Sequence, residues 1–258
     1  MKVVILCGGQ GARMREETEY RPKPMVEVGE RPLLWHIMRS CGHHGLNDFV
    51  LCLGYKGRMI KDYFLNYDAA TSDCTVTHGV RRAVTYHRTE DPFEFTVTLA
   101  DTGADTLTGG RIKRVAHYIE DDTFLVTYGD GLADVDLGAL VAFHRAHGRI
   151  ATLTAVRPYS RFGVTSIDDQ SRVTAFAEKP RADGWVSAGF FVFNRRIFDY
   201  LDGDRQMLEE KPLERLAAEG QLMAYKHDGF FFAVDTYRDF LQVNDMWRRG
   251  EAPWKAWA

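Results

Sequence analysis

No stretch of the 258-residue chain approaches the roughly 20 consecutive apolar residues that a membrane-spanning helix needs. The opening apolar run, VVILC, stops at two glycines, so it lacks the longer apolar core and the cleavage site of a secretory signal. The formal net charge is −3, and nothing in the sequence indicates the basic surface that nucleic acids require. We therefore expect a cytoplasmic protein that binds neither membranes nor nucleic acids.

Cysteine is also scarce, and the four cysteines form no Cys-x-x-Cys pair. This spacing predicts reduced thiols rather than disulfides or a zinc site. The sequence contains neither Gly-x-Ser-x-Gly nor His-Glu-x-x-His, the signatures of serine hydrolases and zinc peptidases. The chemistry must therefore come from other residues.

Apolar runs and amphipathic segments alternate along the chain, beginning with KVVIL, PLLWHIMRSC and DFVLCL. This order predicts an α/β fold that is Rossmann-like, with a doubly wound and mostly parallel sheet. Short alternating segments within 74–101 predict β-hairpins added at one edge. Beyond residue 150 we expect a C-terminal elaboration, in which QLMAYKHDGFFFAVDT forms a strand pair and YRDFLQVNDMWRRG a closing helix.

The segment GGQGAR, residues 8–13, follows the first predicted strand. It is not a P-loop, which needs Gly-Lys-Ser/Thr, and it is not a dinucleotide fingerprint, because Met14 stands where the third glycine belongs. The second strand also ends in Gly54 and Tyr55, without the acidic residue that holds a ribose. What remains is a run of backbone amides with Arg13 as a bidentate phosphate donor.

Three charged residues elsewhere in the chain each have a plain structural alternative. Lys23 lies between two prolines in RPKPM, although on spacing alone a solvated loop lysine is an equal alternative. Asp130 follows the apolar run TFLVTY, at a strand end where open α/β sheets bind ligands, but an aspartate before glycine is also a common turn residue. Asp235, before TYRDF, is by itself a plausible helix N-cap.

Together, GGQGAR and RPKPM resemble the signature G-G-x-G-x-R followed by K-P of the sugar-1-phosphate nucleotidyltransferases. Within that superfamily, further segments along nearly the whole chain are similar to the glucose-1-phosphate cytidylyltransferases. These segments read EETEYRPKPMVEVG, PLLWHIM, GYKGRMIKDYF, DTGADTLTGGRIKRV, TYGDG, FAEKP, GFFVFN and PWKAW. The resemblance implies transfer of CMP from CTP to α-D-glucose 1-phosphate, giving CDP-glucose and pyrophosphate, with Mg²⁺ as cofactor. It also implies a homo-oligomer.

Two alternatives remain open from the sequence. The first is the same chemistry with another sugar 1-phosphate, or with UTP or dTTP. The second is a non-catalytic homologue that senses nucleotide sugars. Such homologues typically lose the lysine or the carboxylates, so the presence of Lys23, Asp130 and Asp235 favours an enzyme.

The resemblance also implies roles for individual residues. Arg13, Lys23 and Asp130 are expected to be catalytic, and Asp130 and Asp235 to hold the metal. The residues expected to bind the nucleotide are Leu6, Gly8, Gly9, Gln10, Gly11, Ala12, Arg13, Lys23, Thr106, Gly109, Arg111 and Gly129. The residues expected to bind the sugar phosphate are Glu178, Lys179, Ser187, Ala188 and Gly189.

The same resemblance predicts how the chain is organised. We expect one nucleotidyltransferase domain over 1–258, in which 1–150 serves mainly the nucleotide and 151–258 mainly the sugar phosphate and oligomer contacts. Residues 106–111 are expected to close over the nucleotide, with the amides of Gly109 and Gly110 directed at it, although a plain helix N-terminus is the alternative for these two glycines. Trp254 and Trp257 are large for a free tail, so we expect them at an oligomer contact.

The chain departs from the family in two places. Ala12 and Met14 stand where relatives more often carry Thr and Leu, a small change in a loop that works through its backbone. Ser187 and Ala188 stand where close relatives tend to carry Asn and Gly, near the sugar hydroxyls. Because a site that hydrogen-bonds a hydroxyl discriminates strongly, these two positions bear on which sugar is used.

Overall fold

The computed structural model describes residues 1–87, 93–160 and 162–257. The strands are β1 (Lys2–Leu6), β2 (Glu27–Val28), β3 (Arg31–Pro32), β4 (Asp48–Leu53), β5 (Cys74–Thr77), β6 (Ala83–Tyr86), β7 (Thr96–Asp101), β8 (Thr123–Tyr128), β9 (Gly131–Ala133), β10 (Ala151–Val156), β11 (Val164–Ile167), β12 (Val173–Ala177), β13 (Val186–Asn194), β14 (Leu222–Lys226) and β15 (Phe231–Ala233). The α-helices are α1 (Arg15–Thr18), α2 (Leu33–His43), α3 (Gly57–Leu65), α4 (Tyr67–Thr71), α5 (Thr108–Arg114), α6 (Leu137–His147), α7 (Lys211–Ala218) and α8 (Tyr237–Arg248). Short 3₁₀ helices occur at Ala12–Met14, Lys23–Met25, Ala116–Tyr118 and Arg195–Tyr200.

A seven-stranded sheet in the order β14-β10-β13-β8-β1-β4-β7 forms the centre of the molecule. β13 runs antiparallel to both of its neighbours, and the other neighbouring pairs are parallel. The chain builds outward from β1 to β4 and β7, then crosses back to place β8 on the other side of β1. A crevice opens at such a switch point, outside the carboxyl ends of the strands. The predicted doubly wound α/β fold is confirmed.

The apolar runs read from the sequence explain the two cores. Successive side chains of a strand point to opposite faces, so a run that is apolar throughout predicts a sheet covered on both sides. In β1, Val3 and Ile5 join the core that α2 covers, whereas Val4 and Leu6 join the core that α5 covers. The glycine loop that follows β1 is thus anchored by a strand buried on both faces.

Two predicted β segments pair differently from expectation. Hairpins are expected throughout 74–101, but within its described part only β5 and β6 form one, and β7 joins the central sheet parallel to β4. Residues 88–92 lie outside the described residues. The expected pairing of β14 with β15 is also wrong, because β14 lies parallel to β10 and β15 pairs with β9. A short strand's own sequence does not specify its partner.

The aromatic residues near the C-terminus pack inside the chain. Trp254 is fully buried and Trp257 is 8% exposed. The Trp254 ring stacks on Trp247 of α8, and Trp257 meets Trp35 of α2 edge to face. The expectation that these tryptophans form an oligomer contact is therefore wrong, since helices of the same chain cover them.

Both parts of the chain contribute to the central sheet, because β10, β13 and β14 follow residue 150 and the other four strands precede it. That residues 1–150 bind mainly the nucleotide and residues 151–258 mainly the sugar phosphate stays a prediction. In the described ranges, no helix combines the length and apolar character needed to cross a bilayer.

Candidate active site

The glycine-rich loop 8–13 leaves the carboxyl end of β1 at the centre of the sheet. Gly11 has φ +63°, in the left-handed region that favours glycine, and a Cβ there would lie 2.7 Å from the Thr18 side chain. The Thr18 hydroxyl is 3.0 Å from the Gly11 carbonyl oxygen and 2.8 Å from that of Met14, so it donates into the loop. The Thr18 side chain therefore fixes the conformation of the loop.

Arg111 lies beneath this loop and is 4% exposed. Its guanidinium donates to the carbonyl oxygen of Gly8 (3.1 Å), which fixes the start of the loop. The same group also donates to the carbonyl oxygens of Leu53, Gly103 and Ala104 and to the Thr102 hydroxyl. Burial lowers the pKa of Arg111 from its ordinary value. The resemblance places Arg111 among the nucleotide ligands, but its donors are engaged with the chain, so its first role is to brace the loop.

The four side chains expected to carry the chemistry meet beside the loop. The Lys23 ammonium lies 2.7 Å from Asp130 Oδ2 and 2.6 Å from Asp235 Oδ1. Arg13 Nη2 lies 2.9 Å from the same oxygen of Asp235. The Lys23 side chain is 10% exposed, so the alternative of a solvated loop lysine is wrong.

A small antiparallel pair brings the two aspartates together. β9 follows Asp130, β15 precedes Asp235, and the two strands pair so that Gly131 faces Ala233. The Val234 amide then donates to the Asp130 carbonyl oxygen at 2.9 Å. The N-cap of α8 is Thr236, in a capping box with Asp239, so Asp235 is not the cap and its carboxylate faces Lys23 instead.

These groups open onto a cavity of about 360 Å³ at the carboxyl end of the sheet. The predicted residues that line it are Leu6, Gly8, Gly9, Gly11, Arg13, Lys23, Thr106, Arg111, Gly129, Asp130 and Asp235. Leu107 and Thr108, from the expected segment 106–111, also line it, and the lining residues that the sequence did not indicate are Cys7, Pro24, Tyr128 and Met207. Gln10 and Gly109 do not line it, and the side chain of Ala12 lies outside the described part of the chain. A volume of this size is typical of a small-molecule site.

Residues 203–209 pack against the start of α5 and correct one expectation. The amides of Gly109 and Gly110 both donate to the Gln206 carbonyl oxygen, at 3.0 and 3.3 Å, so they are not directed at a ligand. A Cβ at Gly110 would lie 2.6 Å from the Asp204 Cα. Both glycines therefore permit close packing of the helix on this segment rather than ligand binding.

Glu209 joins two cavity-lining residues. Its carboxylate accepts hydrogen bonds from the Tyr128 hydroxyl and from the Thr108 hydroxyl, the latter at 2.6 Å. Burial, with the nearby Glu209 carboxylate, raises the pKa of Tyr128 above its ordinary value. No motif marks this contact, because the residues come from three separate segments.

The residues expected to bind the sugar phosphate do not line the cavity. The side chains of Glu178 and Lys179 are more than half exposed and 3.7 Å apart. Ser187 is exposed and Ala188 is buried. Gly189, with φ +75°, lies against the Tyr128 ring, where a Cβ would come within 2.4 Å. This last contact connects the expected sugar segment to the cavity wall.

Comparison with known proteins shows the family of the chain. The family model described as nucleotidyl transferase matches residues 2–251. The chain belongs to the nucleotidyl transferase family. The family that GGQGAR and RPKPM indicate is thereby confirmed.

Two curated members of the nucleotidyl transferase family match over the full length of both chains. The glucose-1-phosphate cytidylyltransferase of Salmonella typhimurium is 49% identical over 259 residues. A Bacillus subtilis protein named "Probable glucose-1-phosphate cytidylyltransferase" is 44% identical over 258 residues. Each alignment covers 100% of this chain and 100% of the relative.

Solved structures share the fold. HddC from Yersinia pseudotuberculosis, complexed with GMP-PN, superposes with a TM-score of 0.70 at 21% identity, covering 95% of this chain and 99% of that chain. A UDP-glucose pyrophosphorylase complexed with UDP-glucose gives 0.69 at 15% identity, covering 96% of this chain and 98% of that one.

Members of the nucleotidyl transferase family generally use a divalent metal. No cluster of three or more Asp, Glu, His or Cys side chains suited to a metal occurs among the described residues. Asp130 and Asp235 nevertheless fit an ion such as Mg²⁺, which takes oxygen ligands, binds through one or two carboxylates plus substrate phosphates, and keeps several waters. The two carboxylates already face a common cation in this structure, the Lys23 ammonium.

Proposed function

We propose that the chain is a glucose-1-phosphate cytidylyltransferase, which transfers CMP from CTP to α-D-glucose 1-phosphate and releases pyrophosphate. The observation that carries this proposal is the cluster of Lys23, Asp130 and Asp235 beside the glycine loop, open to one cavity. The two full-length relatives that bear this name support the choice of nucleotide and sugar.

The reaction brings two anions together, so it needs charge neutralisation and alignment more than a protein base. The sugar phosphate is already a nucleophile near neutral pH and attacks the α-phosphorus in line, with pyrophosphate leaving on the far side. In this proposal the backbone amides of residues 8–11 and the Arg13 guanidinium bind the triphosphate. Lys23 stabilises the negative charge that develops at the α-phosphate.

We further propose that the metal is Mg²⁺, held by Asp130 and Asp235. When bound, it neutralises phosphate charge and helps to orient the reacting groups. The protein's contribution is to fix these carboxylates through the β9–β15 pair and to hold Lys23 in the turn at Lys23–Met25.

The sugar phosphate is proposed to bind next to Tyr128, between the cavity and the exposed segment of Glu178 and Lys179. Lys179 would pair with the phosphate and Glu178 would accept hydroxyl hydrogen bonds. Ser187 and Gly189 lie at the start of β13, and Gly189 touches Tyr128. Lys179→Ala should raise KM for glucose 1-phosphate more than KM for CTP.

Pyrophosphate release tests the proposal directly. The protein is incubated with Mg²⁺, glucose 1-phosphate and each of CTP, UTP, dTTP, GTP and ATP, and the product is identified by mass. We expect turnover with CTP and CDP-glucose as product. Fast release with only UTP or dTTP would support the alternative nucleotide. Absence of turnover with every nucleotide and several sugar 1-phosphates, despite CDP-glucose binding, would support the sensor.

We also propose that the protein forms a homo-oligomer. The β5–β6 and β11–β12 hairpins are exposed along their whole length, and they present Val80, Tyr86 and Phe176 to solvent. Isolated two-stranded hairpins are marginally stable, so a second copy would stabilise them. Light scattering should give a multiple of the 29.4 kDa chain mass, and Phe176→Asp should reduce it.

The cytoplasm is the proposed location. The nucleotide triphosphate that the proposed reaction uses is made there, and Cys7, Cys41 and Cys52 are buried free thiols, which suits a reducing compartment. Cell fractionation with antibody detection tests this proposal.

A further inference from the structure

The ammonium of Lys23 lies between the two carboxylates that the proposed metal needs. It is 2.7 Å from Asp130 Oδ2 and 2.6 Å from Asp235 Oδ1, both short distances for charge-assisted hydrogen bonds. The side chains of Lys23 and Asp235 are 10% and 16% exposed. This is therefore a mostly buried cation with two acidic partners rather than a solvated surface pair.

The backbone fixes where this lysine starts. Pro22 and Pro24 flank it, and the Val26 amide donates to the Lys23 carbonyl oxygen to close the turn. Only the four-carbon side chain is free to move, and an ammonium on such a stem reaches several acceptors without backbone change. Arg13, the other cation on Asp235, is 74% exposed and touches only one of the two carboxylates.

We propose that Lys23 is an internal counter-cation that holds Asp130 and Asp235 in the free protein and gives up these carboxylates when metal and nucleotide bind. This inference rests on the proposed function, because it assigns the metal to these two residues. A divalent ion and an ammonium cannot both occupy the space between the same oxygens, since they repel each other and compete for the same lone pairs. Lys23 then turns its N–H groups towards the phosphates.

Two consequences follow. The free protein binds divalent metal weakly, because the ion must first displace a well-placed cation. A ligand that offers Lys23 new anionic partners removes part of that cost, so nucleotide and metal favour each other's binding by the same factor. The ammonium is delivered to the triphosphate in the same event that admits the metal.

The test measures metal binding without substrate. Mn²⁺ is titrated into the free protein, and bound ion is quantified by electron paramagnetic resonance. Lys23→Met removes the charge and keeps much of the length, so we expect Mn²⁺ to bind at least about tenfold more tightly than in the unaltered protein. Lys23→Arg keeps the charge and should retain weak binding. Arg13→Met should give a smaller gain.

The binding must depend on the two carboxylates, so adding Asp130→Asn to Lys23→Met should abolish the gain. Equal or weaker Mn²⁺ binding by Lys23→Met would overturn the proposal, as would an equal gain in Lys23→Arg. If Lys23→Met does not fold alone, Mn²⁺ should restore its folding, measured by circular dichroism, because it replaces the missing cation. Failure of this rescue would also overturn the proposal.

These readouts separate the inference from the proposed function. If the unaltered protein converts CTP and glucose 1-phosphate but Lys23→Met gains no metal affinity, the function stands and the inference fails. If Lys23→Met gains metal affinity but the unaltered protein turns over no nucleotide, the proposed activity fails while the competition for the carboxylates stands.

Discussion

The Arg111 guanidinium occupies the space that a side chain at residue 8 would need. A Cβ added to Gly8 would lie 2.1 Å from Arg111 Cζ. Five hydrogen-bond acceptors hold that guanidinium in place, and one of them is the Gly8 carbonyl oxygen itself. Residue 8 must therefore be glycine, because the Arg111 guanidinium that fixes the loop leaves no room for a side chain there.

The first prediction compares two neighbouring glycines. Gly8→Ala should lower the free energy of unfolding by about 1–3 kcal/mol, because Arg111 cannot move without losing its acceptors. Gly9→Ala is the matched control, since a Cβ there meets nothing within 4 Å. Urea unfolding measures both. An equal loss at both positions would contradict the bracing role of Arg111.

Replacing the brace itself is the second prediction. Arg111→Lys keeps the charge but replaces the planar guanidinium by an ammonium on a flexible stem. The ammonium has three donors, whereas five acceptors surround the guanidinium, so some acceptors lose their partner. Each buried acceptor left unpaired costs about 1–3 kcal/mol. We expect a clear drop in unfolding free energy and a raised KM for CTP. Arg114→Lys, at an exposed ion pair with Asp204, should change either value little.

The third prediction concerns the hydroxyl that holds the loop. Thr18→Val keeps the shape and removes the donor to the Gly11 and Met14 carbonyl oxygens. The expected cost is about 1–2 kcal/mol of stability, with weaker CTP binding by calorimetry. Thr18→Ser retains the donor and should keep most of the affinity. If Thr18→Ser loses as much CTP affinity as Thr18→Val, shape rather than hydrogen bonding positions the loop.

Lys23→Ala is the fourth prediction. Its charge counts most when negative charge develops at the α-phosphate, so kcat should fall about 10²–10³-fold. The dissociation constant of CTP should change much less. Stopped-flow turnover and equilibrium CTP binding give the two numbers, with the exposed Lys211→Ala as control. A large loss of CTP binding at unchanged kcat would refute the assignment.

The fifth prediction is a loss of stability in acid that comes from His36. Its Nδ1 accepts from the Trp254 indole N–H (3.4 Å), so the proton lies on Nε2 and is donated to the Val28 carbonyl oxygen (2.8 Å). If His36 were protonated, the second proton would lie on Nδ1 and would point at the Trp254 indole N–H, which is a donor and not an acceptor. Burial lowers the pKa of His36 from 6.5 to about 4.

The sign follows from linkage. Between pH 6.5 and 4 the unfolded chain takes up a proton at His36 and the folded chain does not, so stability falls as the pH falls through this range. One such group contributes at most about 3 kcal/mol. His144, whose pKa burial also lowers to about 4, adds to the slope. Urea unfolding from pH 7.5 to 4.5 should show a flatter decline for His36→Gln. An unchanged slope would exclude His36.

The glycine loop and Arg13 were indicated by their own residues, because phosphate chemistry restricts residue type and local context there, whereas the grouping of Lys23, Asp130 and Asp235 was expected from the family resemblance. Sequence reasoning missed the bracing role of Arg111, since the atoms that a guanidinium reaches are decided by packing. Glu209 carried no signal, because its partners Tyr128 and Thr108 lie in other segments. The burial of Trp254 was missed for a related reason, as a large aromatic side chain suits the core of its own chain as well as a partner's surface.

The β9–β15 pair has a consequence for the synthesis of the protein. A nascent chain of roughly 200 residues already holds the glycine loop, Lys23 and Asp130, since domains begin to fold from the N-terminal side on the ribosome. It does not yet hold β15, which begins at Phe231, or Asp235 behind it. The pair of carboxylates is completed only when β15 docks on β9. On the proposed metal-binding role of Asp130 and Asp235, an unfinished chain cannot consume nucleotide, and activity begins only when β15 has docked.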